Sequence, residues 1–445
     1  MKEKNCTANP CYFCMPLGAI FAGFGFEKTI TLIHGSQGCA TYMRRHMARH
    51  FHEPVDAASS SLNEKDAIYG GEENLKKAIK NVYKQYNPQM IVIASTCLSE
   101  TIGDNVDAIA DQIEKKTDEF DIPLINVSTP SFQGGYSAGY WRTIKAILKK
   151  TCDKSVKNKF FINIIPGIIT PQDIRYLKVI GDLWQIDFHI LGDYSQTLDG
   201  VWSESFKLLP DGGAPISFLK EASSALATIE FSTINPEEYS PGLFLQQEFG
   251  VPSYRLPYPQ QLGSTDKFMN LLKAITQKNI PKSILTTRGR LLDAMIDSHK
   301  ILFGKKAVIF GEGDFVYSAC QIMEELGVEV AAIVYESTRA RDIGFTLKTK
   351  VPLVIDNGSM FELEEWLAGN SVDLLLGSSV GYSLSLKMNI PLVRRGFPIH
   401  DRFGAGRILT IMYEGSISLM DDISNVFMEK INSSFRNELK ESYLH

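Results

Sequence analysis

The chain has 445 residues and a formal net charge of −5, so no global positive field marks it for nucleic acid or an anionic membrane surface. Hydrophobic residues make up 44% and charged residues 22%, the balance of a well-cored globular protein, and the length suggests two to four domains. No run of about 18 apolar residues occurs and the N-terminal MKEKNCTANPCYFC has no apolar leader core, so neither a membrane span nor secretion is expected, and the cytoplasm is the expected compartment.

Short β-branched runs alternate with longer amphipathic stretches along almost the whole chain, the signature of parallel α/β units. In chain order the predicted elements begin with a helix at Glu72–Tyr86, a strand at Met90–Ser95, a helix at Asn105–Lys115 and a strand at Pro123–Ser128. Strands follow at Phe160–Gly167, Asp187–Leu191 and Ala227–Ser232, then helices at Asp266–Thr276 and Leu291–Phe303. The last block reads as a strand at Lys306–Gly311, a helix at Val316–Leu326, strands at Glu329–Glu336, Asp373–Ser379 and Ile390–Gly396, and a helix at Met420–Ile431. The continuous apolar runs suit strands buried on both faces. Three α/β domains are expected, over 1–150, 151–285 and 286–445, packed without low-complexity linkers. Ligands of open parallel sheets sit at the carboxyl ends of strands, so loops just after strands are where function is sought.

Seven cysteines are present: Cys6, Cys11, Cys14, Cys39, Cys97, Cys152 and Cys320. An odd number in a chain of this size argues against a disulfide framework and turns attention to metal or redox chemistry. Cys14 in CMPLGA, Cys39 in HGSQGC and Cys97 in ASTCLSE each stand beside Gly, Pro, Ser or Thr at an expected loop or strand end. Loop thiolates drawn from distant segments are the usual ligands of iron–sulfur clusters, while an isolated cysteine is more often a small buried hydrophobe. No short zinc pattern is complete. Cys11 and Cys14 form a C-x-x-C, but no βαβ unit surrounds it, so Cys6 and Cys11 read as incidental or as part of an extra N-terminal metal site. Cys152 and Cys320 lie near helical segments and read as structural.

Three further runs have chemical content. Gly311-Glu-Gly-Asp-Phe-Val is half a dinucleotide fingerprint with Val316 where the third glycine belongs, or simply a tight strand-to-helix turn with Glu312 and Asp314 at a helix N-terminus. The Arg- and His-rich stretch Arg44–Pro54 could meet an anionic partner or be a plain solvated helix. His34 could tune a cluster or be a satisfied structural histidine, and Arg394–Arg402 could be a docking loop or a structural one.

Taken together, CMPLGA, HGSQGCATYMRRHMARHFHEP, SSSLNEKDAIYGGEENL, STCLSETIGD, TPSF, RGRLLDAMIDSHK and GFPIHDR resemble the nitrogenase component 1 family, β side, from about Asn9 to Lys430. The resemblance implies three Rossmann-like α/β domains with parallel sheets flanked by helices. It implies that Cys14, Cys39 and Cys97 hold an iron–sulfur cluster, four-iron or the eight-iron P-cluster, shared with an α-type partner in an α2β2 assembly. Ser131 matches a serine that approaches that cluster on oxidation. The catalytic cofactor, or its FeMo-cofactor precursor, would be held mainly by the partner, so no complete active site is expected here. Within the family, TYMRRHMARHFHEPVDAASSS and RGRLLDAMIDSHKILFGKKAVIFGE look closest to the cofactor-assembly scaffold branch, NifN paired with NifE. The retained cysteine set with Ser131 also suits the alternative, a β subunit of nitrogenase or a nitrogenase-like reductase. Docking of the reductase (Fe protein) is implied too, with Phe51 and the Arg44–His52 patch expected near that face.

Overall fold

The computed structural model describes residues 10–116, 121–154, 159–336 and 350–443. Cys6 lies outside them.

Three parallel sheets form the frame. The first has the order β2-β1-β3-β4, from β1 (Thr29–His34), β2 (Ala58–Ser59), β3 (Met90–Ser95) and β4 (Leu124–Val127). The second has the order β6-β5-β7-β8, from β5 (Phe161–Ile165), β6 (Asp187–Ile190), β7 (Ala227–Phe231) and β8 (Ser253–Leu256). The third has the order β11-β10-β9-β12-β13, from β9 (Lys306–Gly311), β10 (Glu329–Tyr335), β11 (Leu353–Ile355), β12 (Leu374–Gly377) and β13 (Leu392–Arg394). Helices connect the strands, and every residue of β3, β5 and β7 is buried, as expected of strands covered on both faces. One cluster of buried side chains runs through all three sheets, including Val92, Ile164 and Ile309. Among the described residues no helix is long and apolar enough to cross a membrane.

The predicted helices at the second half of the chain start earlier than expected: Leu262–Thr276, Lys282–Leu302, Gly313–Glu325 and Met412–Tyr443. Each begins in a polar or glycine-bearing first turn whose apolar spacing is weak, and side-chain caps at Gln261 and Glu312 start two of them.

Two features position the first sheet's loops. The helix Met15–Phe24 crosses the helix Tyr136–Thr151 at backbone contact: a Cβ on Gly18 would lie 1.8 Å from the Tyr136 carbonyl oxygen, and one on Gly139 would lie 2.0 Å from that of Met15. Ahead of that helix, residues 10–14 run from the third sheet to the first. Pro10 bridges Ser359, the Cys11 N–H donates to the Gly358 carbonyl at 2.9 Å, and Cys14 bridges Gly135. The Cys11 thiol is fully buried in the third sheet's core beside the Gly311 and Val334 carbonyls, and burial, with Glu336 adding, pushes its pKa up to about 12. Cys14 is exposed, so the C-x-x-C pair shares no redox site.

Candidate cluster-binding face

In the first sheet the strand order reverses direction between β1 and β3, which lie side by side with His34 opposite Ser95. The crevice beyond the carboxyl ends of such a strand pair is the usual ligand position in open parallel sheets. Cys39 follows β1 and Cys97 follows β3, so both residues stand in the segments that leave the carboxyl ends of this strand pair. The two loops are locked together: Thr96 Oγ1 donates to the His34 carbonyl at 3.0 Å, and a Cβ on Gly35 would fall 2.5 Å from the same hydroxyl. Glycine is needed at position 35 for that approach.

Cys14 is the N-cap residue of the Met15–Phe24 helix, Cys39 sits in the first turn of the helix Gln37–Phe51, and Cys97 opens the short helix Cys97–Ile102. Helix N-termini present unpaired N–H groups that can donate to a sulfur. Cys14 and Cys97 are exposed and Cys39 is half-buried. Ser131, in the turn Ser131–Gln133 after β4, joins two of them: its N–H donates to Cys97 Sγ at 3.2 Å, and its hydroxyl accepts from the Met15 N–H, next to Cys14, at 3.3 Å. Ser36 donates to Cys39 Sγ at 3.5 Å. Ser131 thus brings together Cys97 and the turn of Cys14, Cys39 is linked to neither by a hydrogen bond, and N–H or O–H donors are turned towards two of the sulfurs.

Loop thiols with hydrogen-bond donors at sulfur are the donor chemistry that an iron–sulfur cluster takes. Among the described residues no group of three His, Cys, Asp or Glu could hold one metal ion, so the thiols do not close around a lone zinc.

Sequence reasoning missed the residues that hold the loops in register. Glu100 accepts from Ser95 and from Ser128 (2.6 Å), and Ser95 Oγ in turn accepts from the Thr129 N–H at 2.9 Å. Arg142 donates to the Ser128 carbonyl at 3.1 Å and to Gln133 at 3.0 Å, clasping the Ser131 turn from both sides. A polar residue next to a strand end carries no signal until its loop is packed.

Other expectations are resolved differently. His34 is fully buried with both ring nitrogens engaged, Nδ1 with Ser60 at 2.9 Å and Nε2 with Asp104 at 3.0 Å, so it is a structural post rather than a cluster contact. Burial lowers its pKa, opposed by the Asp104 hydrogen bond and charge. The expectation that Phe51 lies on a docking face is corrected: it is buried, ring to ring with Phe21 and Phe397 at 5.7 and 6.4 Å. Met43, Met47, His50 and Phe51 form the inner side of that helix, while Arg45 and Arg49 are exposed and Arg44 is held by the Val55 carbonyl and Asp56. The Gly311–Val316 run is a tight turn. Glu312 caps its helix, and Asp314 accepts from the Thr233 and Ile234 N–H groups and from Ser232, tying the third sheet to the second. In the Arg394–Arg402 loop Arg394 pairs with Asp401, Arg395 pairs with Asp422, and the Ile399 N–H donates to His50. Cys320 is buried in its helix and Cys152 is half-buried at a helix end.

The family model for nitrogenase component 1 type oxidoreductases matches residues 14–428. The nitrogenase molybdenum-iron protein β chain of Clostridium pasteurianum is 33% identical, covering 98% of this chain and 97% of its own. That of Rippkaea orientalis is 36% identical, covering 97% of this chain and 87% of its own. A solved structure described as nitrogenase Cp1 at pH 6.5 superposes with a TM-score of 0.91 at 32% identity over 97% of this chain and 95% of that one. The two sequence relatives are named as β chains of the molybdenum-iron protein, which is the alternative reading of the sequence, and neither is named as a scaffold protein. With an α/β fold of parallel sheets flanked by helices and a family match across nearly its whole length, the chain belongs to the nitrogenase component 1 type oxidoreductases, as a β-type subunit.

Proposed function

We propose that this chain is the β-type half of a nitrogenase component 1 complex that fixes nitrogen, and that Cys14, Cys39 and Cys97 hold one side of an iron–sulfur cluster completed by an α-type partner in an α2β2 assembly. The carrying observation is the exposed pair Cys14 and Cys97 linked through Ser131, a half-site whose sulfurs face outward. When bound, the cluster supplies one-electron relay towards a catalytic cofactor held mainly by the partner. The chain's own part is to fix three thiolates, to donate N–H and O–H groups to their sulfurs, and to leave an open side for the partner. Exposed Arg45 and Arg49 offer charge for the docking of an acidic reductase surface. Charge reversal at both positions should then weaken reductase-dependent electron transfer, and unaltered transfer would remove that assignment.

The second reading is the scaffold one, in which the same face supports a NifN-like protein paired with a NifE-like partner while a FeMo-cofactor precursor matures. The run from Thr41 to Ser61, with exposed Arg45, favours it. The complex, purified without oxygen with its own partner, separates the two when given reductase, ATP and dithionite. Rapid acetylene reduction with bound iron supports the catalytic β subunit. Bound iron with negligible turnover, together with activation of cofactor-free component 1, supports the scaffold. A correctly paired complex without iron would defeat both.

A further inference from the structure

Away from the cysteine face, an internal cavity of about 40 Å³ lies where the loops after β5, β8, β9 and β13 converge. Its wall is largely aromatic, with Phe51, Phe315 and Phe397, but it also includes Tyr136, Glu312 and Arg395. Two buried polar atoms in that wall have no protein partner among the described residues: the Tyr136 hydroxyl, on a residue 1% exposed, and Arg395 Nε, on a residue 5% exposed. The rest of the Arg395 guanidinium is committed, to the Arg394 carbonyl at 2.9 Å and to Asp422. Glu312 accepts from Ser137 at 2.7 Å and from the Phe315 N–H at 2.9 Å.

Size and polarity decide the occupant. A water needs roughly 10–15 Å³ of such space, so there is room for about three or four. A purely apolar cavity of this kind stays dry, but leaving a buried donor unmet costs about 1–3 kcal/mol, and two unmet groups face the same space. A second cavity of about 10 Å³ touches the other side of Tyr136 and Glu312, alongside Tyr12, Asn235 and Glu336. Arg395 and Asp422 also line an outer groove of about 320 Å³, so their ion pair stands between the cavity and solvent.

We propose that the cavity is a water-binding site in which about three or four waters bridge the Tyr136 hydroxyl, Arg395 Nε–H and the Glu312 carboxyl, and that Glu312 exchanges its proton with solvent through them past the Arg395–Asp422 pair. The groups facing Glu312 are Asp314 on its own helix, Glu336 beyond β10, Tyr136 and Tyr258, with Arg395 and His50 across the cavity. Burial, then the charge of Asp314, holds the Glu312 proton on to higher pH than on a free glutamate.

Xenon-pressurised crystals of the complex with its partner test the first half. Ordered waters within hydrogen-bond reach of Tyr136 and Arg395, with xenon excluded, are expected; xenon in the cavity, or an empty one, would overturn it. Infrared spectra in heavy water test the second half, with the Glu312 carboxyl band identified by its loss in Glu312→Gln, or by its displacement in Glu312→Asp if the first variant does not fold. Deuterium exchange of that band within minutes is expected, whereas a band unshifted after hours would refute solvent-linked proton exchange.

Discussion

Replacing Gly18 by alanine tests whether the crossing of the Met15 and Tyr136 helices sets the cysteine geometry. The added Cβ would sit 1.8 Å from the Tyr136 carbonyl oxygen and 2.4 Å from the Tyr140 nitrogen, against about 3.4 Å for ordinary contact. Both neighbours are backbone, so no side chain can turn away, and the helices must part by roughly 1.5 Å. Overpacking of this kind costs about 1–3 kcal/mol or more. The same displacement carries Cys14 away from Ser131, whose hydroxyl reaches the Met15 N–H at only 3.3 Å, and so away from Cys97. The expected result is a lower thermal midpoint together with loss of most bound iron from the purified complex. Gly289→Ala is the matched control: its Cβ meets nothing within 4 Å, so this helical position should gain about 0.5–1 kcal/mol and keep its iron. Native midpoint and iron content in Gly18→Ala would refute the claim that this crossing holds the site.

Single Cys14→Ala, Cys39→Ala and Cys97→Ala variants should each lower iron per complex, measured by elemental analysis, whereas Cys320→Ala, buried in its helix, should leave it unchanged. His50 is buried and its Nδ1 accepts the Ile399 N–H, and burial lowers its pKa from 6.5 to about 3. The unfolded chain therefore takes the proton first. This stability is complete above pH 6.5 and is lost as pH falls towards about 3, amounting to about 2 kcal/mol at pH 5. Denaturant melts at pH 7.5 and 5 should show that loss, and His50→Asn should remove it from the difference. Asp173 is fully buried and accepts from the Thr410 N–H and hydroxyl, the Ile411 N–H and the Thr170 N–H. Asp173→Ala strands all four donors and should cost roughly 3 kcal/mol or more in denaturant melts.

The fold was most legible where strands are buried on both faces. Met90–Ser95 and Lys306–Gly311 could be read to the residue because an unbroken apolar run has few other uses. Thr29–His34 escaped because two threonines and a histidine interrupt it, and their partners, such as the Ala19 carbonyl for Thr31, come from elsewhere in the chain. β2, with two residues, and β11, with three, are too short to have a period, and β8 is a half-exposed edge. The Met15 helix is buried all round and carries two glycines, so it has no amphipathic signature. At the site, the cysteines could be found because thiols at loop ends are chemically unusual. Glu100 and Arg142 could not, because they act only through loops brought together by β3 and β4. Phe51 was misplaced for a reason visible in the sequence: Met43, Met47 and His50 set a helical phase that turns it inward.

The strap from Pro10 to Cys14 has a consequence for the order in which the protein is made. Cys14 itself is held within the first unit by its bridge to Gly135, whereas Pro10 and Cys11 are anchored by contacts to Ser359 and Gly358 and by the Cys11 thiol packed against Gly311 and Val334. Domains fold from the N-terminus during synthesis, so the first sheet can set Cys14, Cys39 and Cys97 early, while Pro10 and Cys11 have their partners only once residues 358 and 359 have been made and the third sheet has formed.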